Sequence, residues 1–394
     1  MALRLAERVQ RIQPSPTLAV TARAAELRAQ GMDVIGLGAG EPDFTTPEPI
    51  RAAAKAAIDA GHTKYTPVDG MAPLKKAVCE KFRADNGLEY APEEVIVSSG
   101  GKQVVFNLAL ALLQEGDQAV IPAPYWVSYP DIVKLAGAEP ITIETDDTAG
   151  FKITARQLEE SLNERTRLLV LNSPSNPTGA VYSEAELEAL AEVLRRHPQV
   201  VVLTDDIYEK ILLGAMPFRN ILSVAPDLKD RTLVLNGVSK AYAMTGWRIG
   251  YAAGPRELIG AMKKLQSQST SNPASISQHA ALAALESDPD LIRPMVEAFR
   301  ERHNYVSEAL NALPYISCRR AEGAFYLFPS FHYAIDALGL KDDVALATHL
   351  LDEARVALVP GSAFGAPGYM RLSFATDLDS LKTAMDRLEK LLAD

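Results

Sequence analysis

Four stretches of this chain put reactive side chains directly after short apolar runs. One is Asn236-Gly237-Val238-Ser239-Lys240-Ala241-Tyr242-Ala243-Met244-Thr245-Gly246-Trp247-Arg248-Ile249-Gly250-Tyr251. Lys240 lies among small and apolar residues, and Arg248 follows eight positions on. A lysine in a desolvated pocket has a depressed pKa and can act as Schiff-base nucleophile and general base. Taken alone, a surface lysine is the ordinary reading. Thr204-Asp205-Asp206-Ile207-Tyr208 leaves the run Val200–Leu203, so Asp205 is a loop cap or a functional carboxylate. Asn172-Ser173-Pro174-Ser175-Asn176-Pro177-Thr178-Gly179 reads as a turn cluster in which Asn176 also offers an amide. Ser99-Gly100-Gly101-Lys102 follows Glu94–Ser98 and opens a helix. Its glycines let backbone approach an anion, and a helix start supplies free N–H groups and a positive dipole end. It is neither GxxxxGK[ST] nor GxGxxG, so it is a phosphate site of another kind or a tight strand–helix turn.

These loops need a frame. Apolar runs at Glu94–Ser98, Gln118–Ile121, Arg167–Asn172, Val200–Thr204, Thr232–Asn236 and Arg248–Ala252 alternate with helical patterns such as Ser183–Arg196. Runs apolar throughout, separated by helices, predict an α/β fold with a mostly parallel sheet covered on both faces. Ligands bind beyond the carboxyl ends of such strands, where these loops lie. Helices are also expected over Thr17–Gln30, from a Thr46-Pro47-Glu48 start with a capping hydroxyl to Ala60, over Ala72–Asn86, and from Lys102 to about Gln114. After Pro289 the pattern is helix-heavy, with strand candidates near Ser317, Ala324–Phe328 and Met370–Phe374. The expected organisation is an N-terminal arm (1–43) that joins a smaller α+β domain (291–394), with a large domain (44–290) between them. No internal repeat or low-complexity segment stands out.

Composition narrows the function. The 394 residues are 47% apolar, which excludes wholesale disorder. Forty Lys and Arg against 50 Asp and Glu give a net charge of −10, which argues against a nucleic-acid binder. Two cysteines, Cys79 and Cys318, without CxxC, exclude a disulfide framework or a cysteine zinc site and suit a reducing compartment. The charged start is a poor signal peptide, and no apolar run approaches the ~18–20 residues of a membrane span. The expectation is a cytoplasmic protein with no membrane or nucleic-acid partner and no metal.

Taken together the motifs resemble one family over nearly the whole chain. SKAYAMTGWRIGY (239–251), NSPSNPTG (172–179), TDDIYE (204–209), AGEPDF (39–44), KYTP (64–67), SGGKQ (99–103), PYWVSYP (124–130) and GAFYLF (323–328) are similar to class I, fold-type I, pyridoxal-phosphate-dependent aminotransferases. The likeness is to the bacterial aspartate aminotransferase subgroup carrying SGGKQ. The resemblance implies a seven-stranded-type sheet and pyridoxal 5′-phosphate as cofactor. It implies a homodimer with sites at the subunit interface, and amino acid and 2-oxo acid substrates. Lys240 would hold the cofactor aldehyde and shuttle a proton, and Asp205 would pair with the pyridine nitrogen. Tyr208 and Asn176 would bind the ring's 3-oxygen, and Trp126 would stack on its face. Gly100, Gly101 and Lys102, with Ser239 and Arg248, would hold the phosphate, and Tyr65 would reach the phosphate of the neighbouring subunit. Arg371 would grip the substrate α-carboxylate bidentately, helped by Gly40 and Asn176. Lys102, with Ser15 and Thr17, would meet a distal carboxylate.

The implied reaction is ping-pong transfer from L-aspartate to 2-oxoglutarate, giving oxaloacetate and L-glutamate. The alternatives are prephenate, aromatic or other amino acid specificity in the same family, or a pyridoxal-phosphate lyase; a non-enzymatic sensor is disfavoured. The pattern departs from the family in places. Gly237 stands where many relatives carry a phosphate-binding hydroxyl, which shifts the grip toward Arg248. Ser175 replaces an Asn, and Asp206 replaces a Glu and is expected to point away from the ring. Gln13 stands where some relatives have a basic residue, which argues against prephenate.

Overall fold

The computed structural model describes residues 3–14 and 16–393. Its centre is a seven-stranded sheet. The strands are β1 (Val95–Ser98), β2 (Gln118–Pro122), β3 (Glu139–Ile143), β4 (Thr166–Asn172), β5 (Val201–Asp205), β6 (Thr232–Gly237) and β7 (Gly250–Ala253). Their order is β1-β7-β6-β5-β4-β2-β3, and only β7 runs against the rest.

Alternate residues of each strand feed two cores. Val95, Val97, Leu169, Leu171, Val202 and Val234 pack on one face, against helices Glu48–Asp59, Ala72–Asn86, Glu184–Arg196 and Ser275–Leu285. Ile96, Leu168, Val170, Leu203 and Leu235 pack on the other, against Gly101–Leu112, Ser128–Leu135 and Arg256–Ser267. Burial on both faces is why these strands carry unbroken apolar runs.

A third core joins the long helix Arg293–Ala312 and the terminal helix Leu378–Ala393 to a small antiparallel sheet. That sheet is β8 (Tyr326–Leu327), β9 (Val359–Pro360) and β10 (Met370–Ser373), with β10 in the middle. Ile35–Gly36 pairs in parallel with Val356–Ala357, so the N-terminal segment is stitched to the C-terminal third. Tyr208 and Ile211 from the loop after β5 insert into this third core, which carries the sheet's carboxyl edge to the small sheet.

The structure corrects two expectations and adds a strand, β3, that the sequence reading lacks. Thr46 does not cap the helix at Glu48; Pro47 takes the N-cap position without a side-chain bond. The Thr46 hydroxyl instead donates to Ala243 O at 2.6 Å and accepts from the Trp247 indole N–H at 3.0 Å, tying the start of that helix to the loop after Lys240. The stretch near Ser317 forms only an isolated bridge to Ser330. The edge strand β3 carries no unbroken apolar run because two of its residues, Glu139 and Thr142, face solvent.

Candidate functional site

The carboxyl ends of β4, β5 and β6 lie side by side, and the four reactive loops meet there. Asn172 is level with Asp205, and Asp205 with Leu235. Beyond them opens a cavity of about 430 Å3. Of the residues singled out above, Thr17, Gly40, Gly101, Lys102, Trp126, Asn176, Asp205, Tyr208, Ser239, Lys240, Arg248 and Arg371 line it.

Lys240 is placed by the loop after β6, which is pinned by the fully buried Val238 and Met244. Its Nζ donates to Gly40 O at 2.6 Å and lies 5.8 Å from the centre of the Tyr208 ring. Desolvation, and then the positive charge of Arg371, lower its pKa to about 8. Asp205 ends β5. Its Oδ2 accepts from the Tyr129 hydroxyl at 2.6 Å and its Oδ1 from Ile207 N at 3.3 Å. Burial raises its pKa to about 6 in spite of these donors. A buried carboxylate of this kind ionises readily only beside a cation. Asp206, next along, is held by Thr204 and Asn220 and does not line the cavity, as expected.

Arg371 projects from β10 and is 2% exposed. Its Nη1 donates to Asn176 Oδ1 at 2.9 Å and its Nη2 to Gly38 O at 2.7 Å, while Nε is buried with no partner. Asn176 is oriented in turn by its own N–H, which donates to Asn172 Oδ1 at 2.8 Å. Across the cavity, helix Gly101–Leu112 begins with amides that have no acceptor within the helix. Gly100 has φ +88°, which strains any other residue, and a Cβ on it would lie 2.4 Å from Arg248 Nη2 and push the guanidinium aside. Arg248 itself adopts a left-handed backbone, φ 56° and ψ 54°, a conformation that costs about 1–3 kcal/mol and recurs at ligand sites. Its Nη1 donates to Thr245 O at 2.9 Å. A Cβ at Gly237 would lie 3.0 Å from Ile207 Cδ1 and 3.1 Å from Ile249 O, so a hydroxyl side chain there would meet tight quarters.

At the mouth, Lys102 Nζ stands 5.0 Å over the Trp126 ring, and desolvation, then Arg248, lower its pKa. Trp126 meets Tyr129 edge to face at 5.2 Å. The Thr17 hydroxyl is buried with no partner. Three of the expected residues stand apart. Ser15 lies outside the described residues. Tyr65 is 92% exposed and away from this cavity. Gly100 sits just behind the lining, against Arg248. Gln13 does not line the cavity either.

Sequence reasoning missed Tyr129, Tyr326, Glu41 and Asn172, all of which line the cavity. Tyr129 and Tyr326 lay within the motifs PYWVSYP and GAFYLF, but nothing local marks their hydroxyls as polar partners of Asp205 and Tyr208. The donor set fits an anionic aromatic cofactor. The lining combines a helix start and Arg248, a lysine of lowered pKa, a buried carboxylate bonded to the Tyr129 hydroxyl, and the Trp126 indole edge to face with Tyr129.

A family profile for class I and II aminotransferases matches residues 32–388. An aspartate/prephenate aminotransferase of Nitrosomonas europaea is 56% identical, with 99% of this chain and 100% of that protein aligned. A solved aspartate aminotransferase from Rhizobium meliloti superposes with a TM-score of 0.96 at 47% identity, covering 100% of this chain and 99% of that one. A Thermus thermophilus aspartate aminotransferase solved with maleate gives 0.93 at 44% identity, covering 99% and 100%.

Proposed function

The chain belongs to the class I and II aminotransferases, and from that membership we propose that it transfers the amino group of L-aspartate to 2-oxoglutarate using pyridoxal 5′-phosphate. One observation carries this reading: a lysine with a pKa near 8, a buried carboxylate and a buried arginine with an unpartnered Nε share one cavity. The aspartate aminotransferase relatives, one of them solved with the C4 dicarboxylate maleate, support the substrate class.

The bound cofactor supplies an electron sink for the pair left when the substrate Cα loses its proton. The chain supplies the rest. Lys240 Nζ would hold the cofactor aldehyde until the substrate amine displaces it, and the freed amine would take and return the Cα proton, a task suited to an amine that is partly neutral near pH 8. Asp205, held by the Tyr129 hydroxyl, would keep the proton on the ring nitrogen. Tyr208 and Asn176 would hydrogen-bond the ring oxygen, and Trp126 would cover the ring. The Gly100–Lys102 helix start, Ser239 and Arg248 take the phosphate. Arg371 takes the α-carboxylate and Lys102, with Thr17, the distal one. The surface charge of −10 is no obstacle, since Lys102, Arg248 and Arg371 set the local potential.

Tyr65 supports a homodimeric reading. Its segment is held rigidly, with Gln278 Nε2 donating to Thr66 Oγ1 at 2.8 Å and Gln278 Oε1 accepting from Met71 N at 2.8 Å, yet Tyr65 points outward. A fixed, outward tyrosine suits a second copy whose phosphate it would reach. The free cysteines suit the cytoplasm. Among the described residues no helix is long and apolar enough to cross a membrane.

The test is the half-reaction. With cofactor bound and L-aspartate added alone, the visible band should be replaced by the near-ultraviolet band of the aminated cofactor. A band that L-aspartate leaves unchanged would remove the substrate; no visible band would remove the cofactor. Against the reading from Gln13, the 56% identical aspartate/prephenate relative favours prephenate as an additional amino acceptor, and adding prephenate to the aminated enzyme decides between the two.

Lys102→Ala should raise KM for L-aspartate by about 10- to 100-fold, the range for losing a hydrogen bond to a charged group. KM for an apolar amino acid should change less than about twofold, because the pocket offers that side chain no ionic partner. Steady-state kinetics on both substrates checks this, and equal effects would take Lys102 out of the distal subsite.

A further inference from the structure

Tyr326 joins two groups to which the proposed reaction gives separate tasks, and no role has been given to it so far. It lies on β8 and is 0% exposed except through the cavity it lines. Its register partner on β10 is Ser373. Residues two apart on a strand share a face, so Tyr326 and Arg371 are diagonal neighbours on one side of the small sheet.

Two contacts follow from this placement. The Arg371 guanidinium carbon stands 4.6 Å from the centre of the Tyr326 ring and 4.9 Å from that of the Phe364 ring, so the ion has a cation–π contact with each. These two ring contacts, with the hydrogen bonds to Asn176 Oδ1 and Gly38 O, restrain the guanidinium fork. At the other end of the same side chain, the Tyr326 hydroxyl lies 2.9 Å from the Tyr208 hydroxyl. A Cβ at Gly40 would lie 3.2 Å from that Tyr326 oxygen, so the hydroxyl pair lies beside the backbone that accepts from Lys240.

We infer that Tyr326 is a positioning residue that serves both halves of the site: its ring orients Arg371 for the substrate carboxylate, and its hydroxyl orients Tyr208 toward the cofactor. The inference rests on the functional reading above. Tyr208 has one proton to give. If that proton goes to the cofactor's ring oxygen, the bond between the two tyrosines must carry the proton of Tyr326. The chain then runs Tyr326 O–H to Tyr208 O–H to the ring oxygen, and each bond polarises the next. Tyr326 touches neither reacting atom, so it acts through its partners.

Two substitutions separate its two ends. Tyr326→Phe keeps the ring and deletes the hydroxyl. The visible band of the loaded enzyme titrates with pH, and its midpoint should rise by about 0.5–1 unit, the equivalent of one neutral hydrogen bond. Binding of maleate, used as a C4 dicarboxylate probe, should stay within about twofold. Tyr326→Leu deletes both ends. It should shift the midpoint equally and also weaken maleate about tenfold, the scale of a lost desolvated cation–π contact. A merely structural role would not split these two readouts. An unmoved midpoint in Tyr326→Phe overturns the proposal, as does unchanged maleate binding in Tyr326→Leu. If Tyr326→Leu fails to fold, the midpoint in Tyr326→Phe still decides. A wild-type protein with no visible band would overturn the functional reading, and the role of Tyr326 with it.

Discussion

Lys240→Ala should lower turnover with L-aspartate by at least about 10⁴-fold while the protein stays folded. A positioned general base alone contributes about 10²–10⁴, and here the same amine also holds the cofactor. Among the described residues the one other lysine lining the cavity, Lys102, stands at the mouth over Trp126. The fold should tolerate the change. Lys240 has a folded pKa near 8 against an ordinary value of 10.5. The unfolded chain therefore binds its proton more tightly. The resulting penalty is fully present below pH 8 and fades as pH rises toward 10.5. A shift of that size corresponds to about 3 kcal/mol of cost, set against about 1 kcal/mol for the bond to Gly40 O. The cofactor-free variant should thus melt no lower than wild type at pH 7, and should lose any advantage near pH 10.5. Turnover assays and thermal melts at both pH values check this. Residual activity above about one part in 10³ would sink the assignment of Lys240.

Much of this site was legible in the sequence because its main residues are fixed by local context. Lys240, Asp205 and Asn176 each leave the end of an apolar strand, and strand ends are where parallel sheets place ligands. The Gly100–Lys102 turn was legible because a helix start and two glycines declare themselves within four residues. What stayed hidden is set by distant pairing. Tyr129 meets Asp205 across 76 residues and Tyr326 meets Tyr208 across 118, and a tyrosine within an apolar motif reads as core until its hydroxyl partner is known. Thr46 misled for the same reason. The threonine before Pro-Glu matches a cap, but its hydroxyl is claimed by Ala243 and Trp247, about 200 positions on. The strand β3 was missed because Glu139 and Thr142 face solvent and break its apolar run, whereas the other edge strand, β1, is buried throughout. Tyr65 lies at the opposite limit: its place in the fold is plain, and the task proposed for it depends on a second copy of the chain.

Asp205→Asn should act in opposite directions on stability and on catalysis, which separates a functional carboxylate from a structural one. In the cofactor-free protein the Asp205 pKa is raised by burial from 3.8 to about 6. The folded state then holds that proton more tightly than the unfolded state. Stability is lost as pH rises from 3.8 to 6, and the full cost remains above 6. That cost is about 3 kcal/mol. An asparagine carries no charge and so escapes it. Its amide oxygen can still accept from Tyr129, but its NH2 then faces the Ile207 N–H and forfeits one bond, about 1 kcal/mol. The net expectation is a cofactor-free variant stabilised by about 1–2 kcal/mol at pH 8 and not at pH 4. With the cofactor bound the order should reverse. The proposed partner of Asp205 is a protonated ring nitrogen, and a buried carboxylate beside a cation gains back its desolvation cost only while both are charged. Asparagine cannot keep the proton on that nitrogen, so the ring's electron sink weakens and kcat/KM should fall by about 10³ or more. Melting curves with and without cofactor at pH 4 and pH 8, paired with kcat/KM at pH 8, read the whole cycle. A variant destabilised equally in both states would make Asp205 a structural acid. A variant with near-normal kcat/KM would detach it from the cofactor.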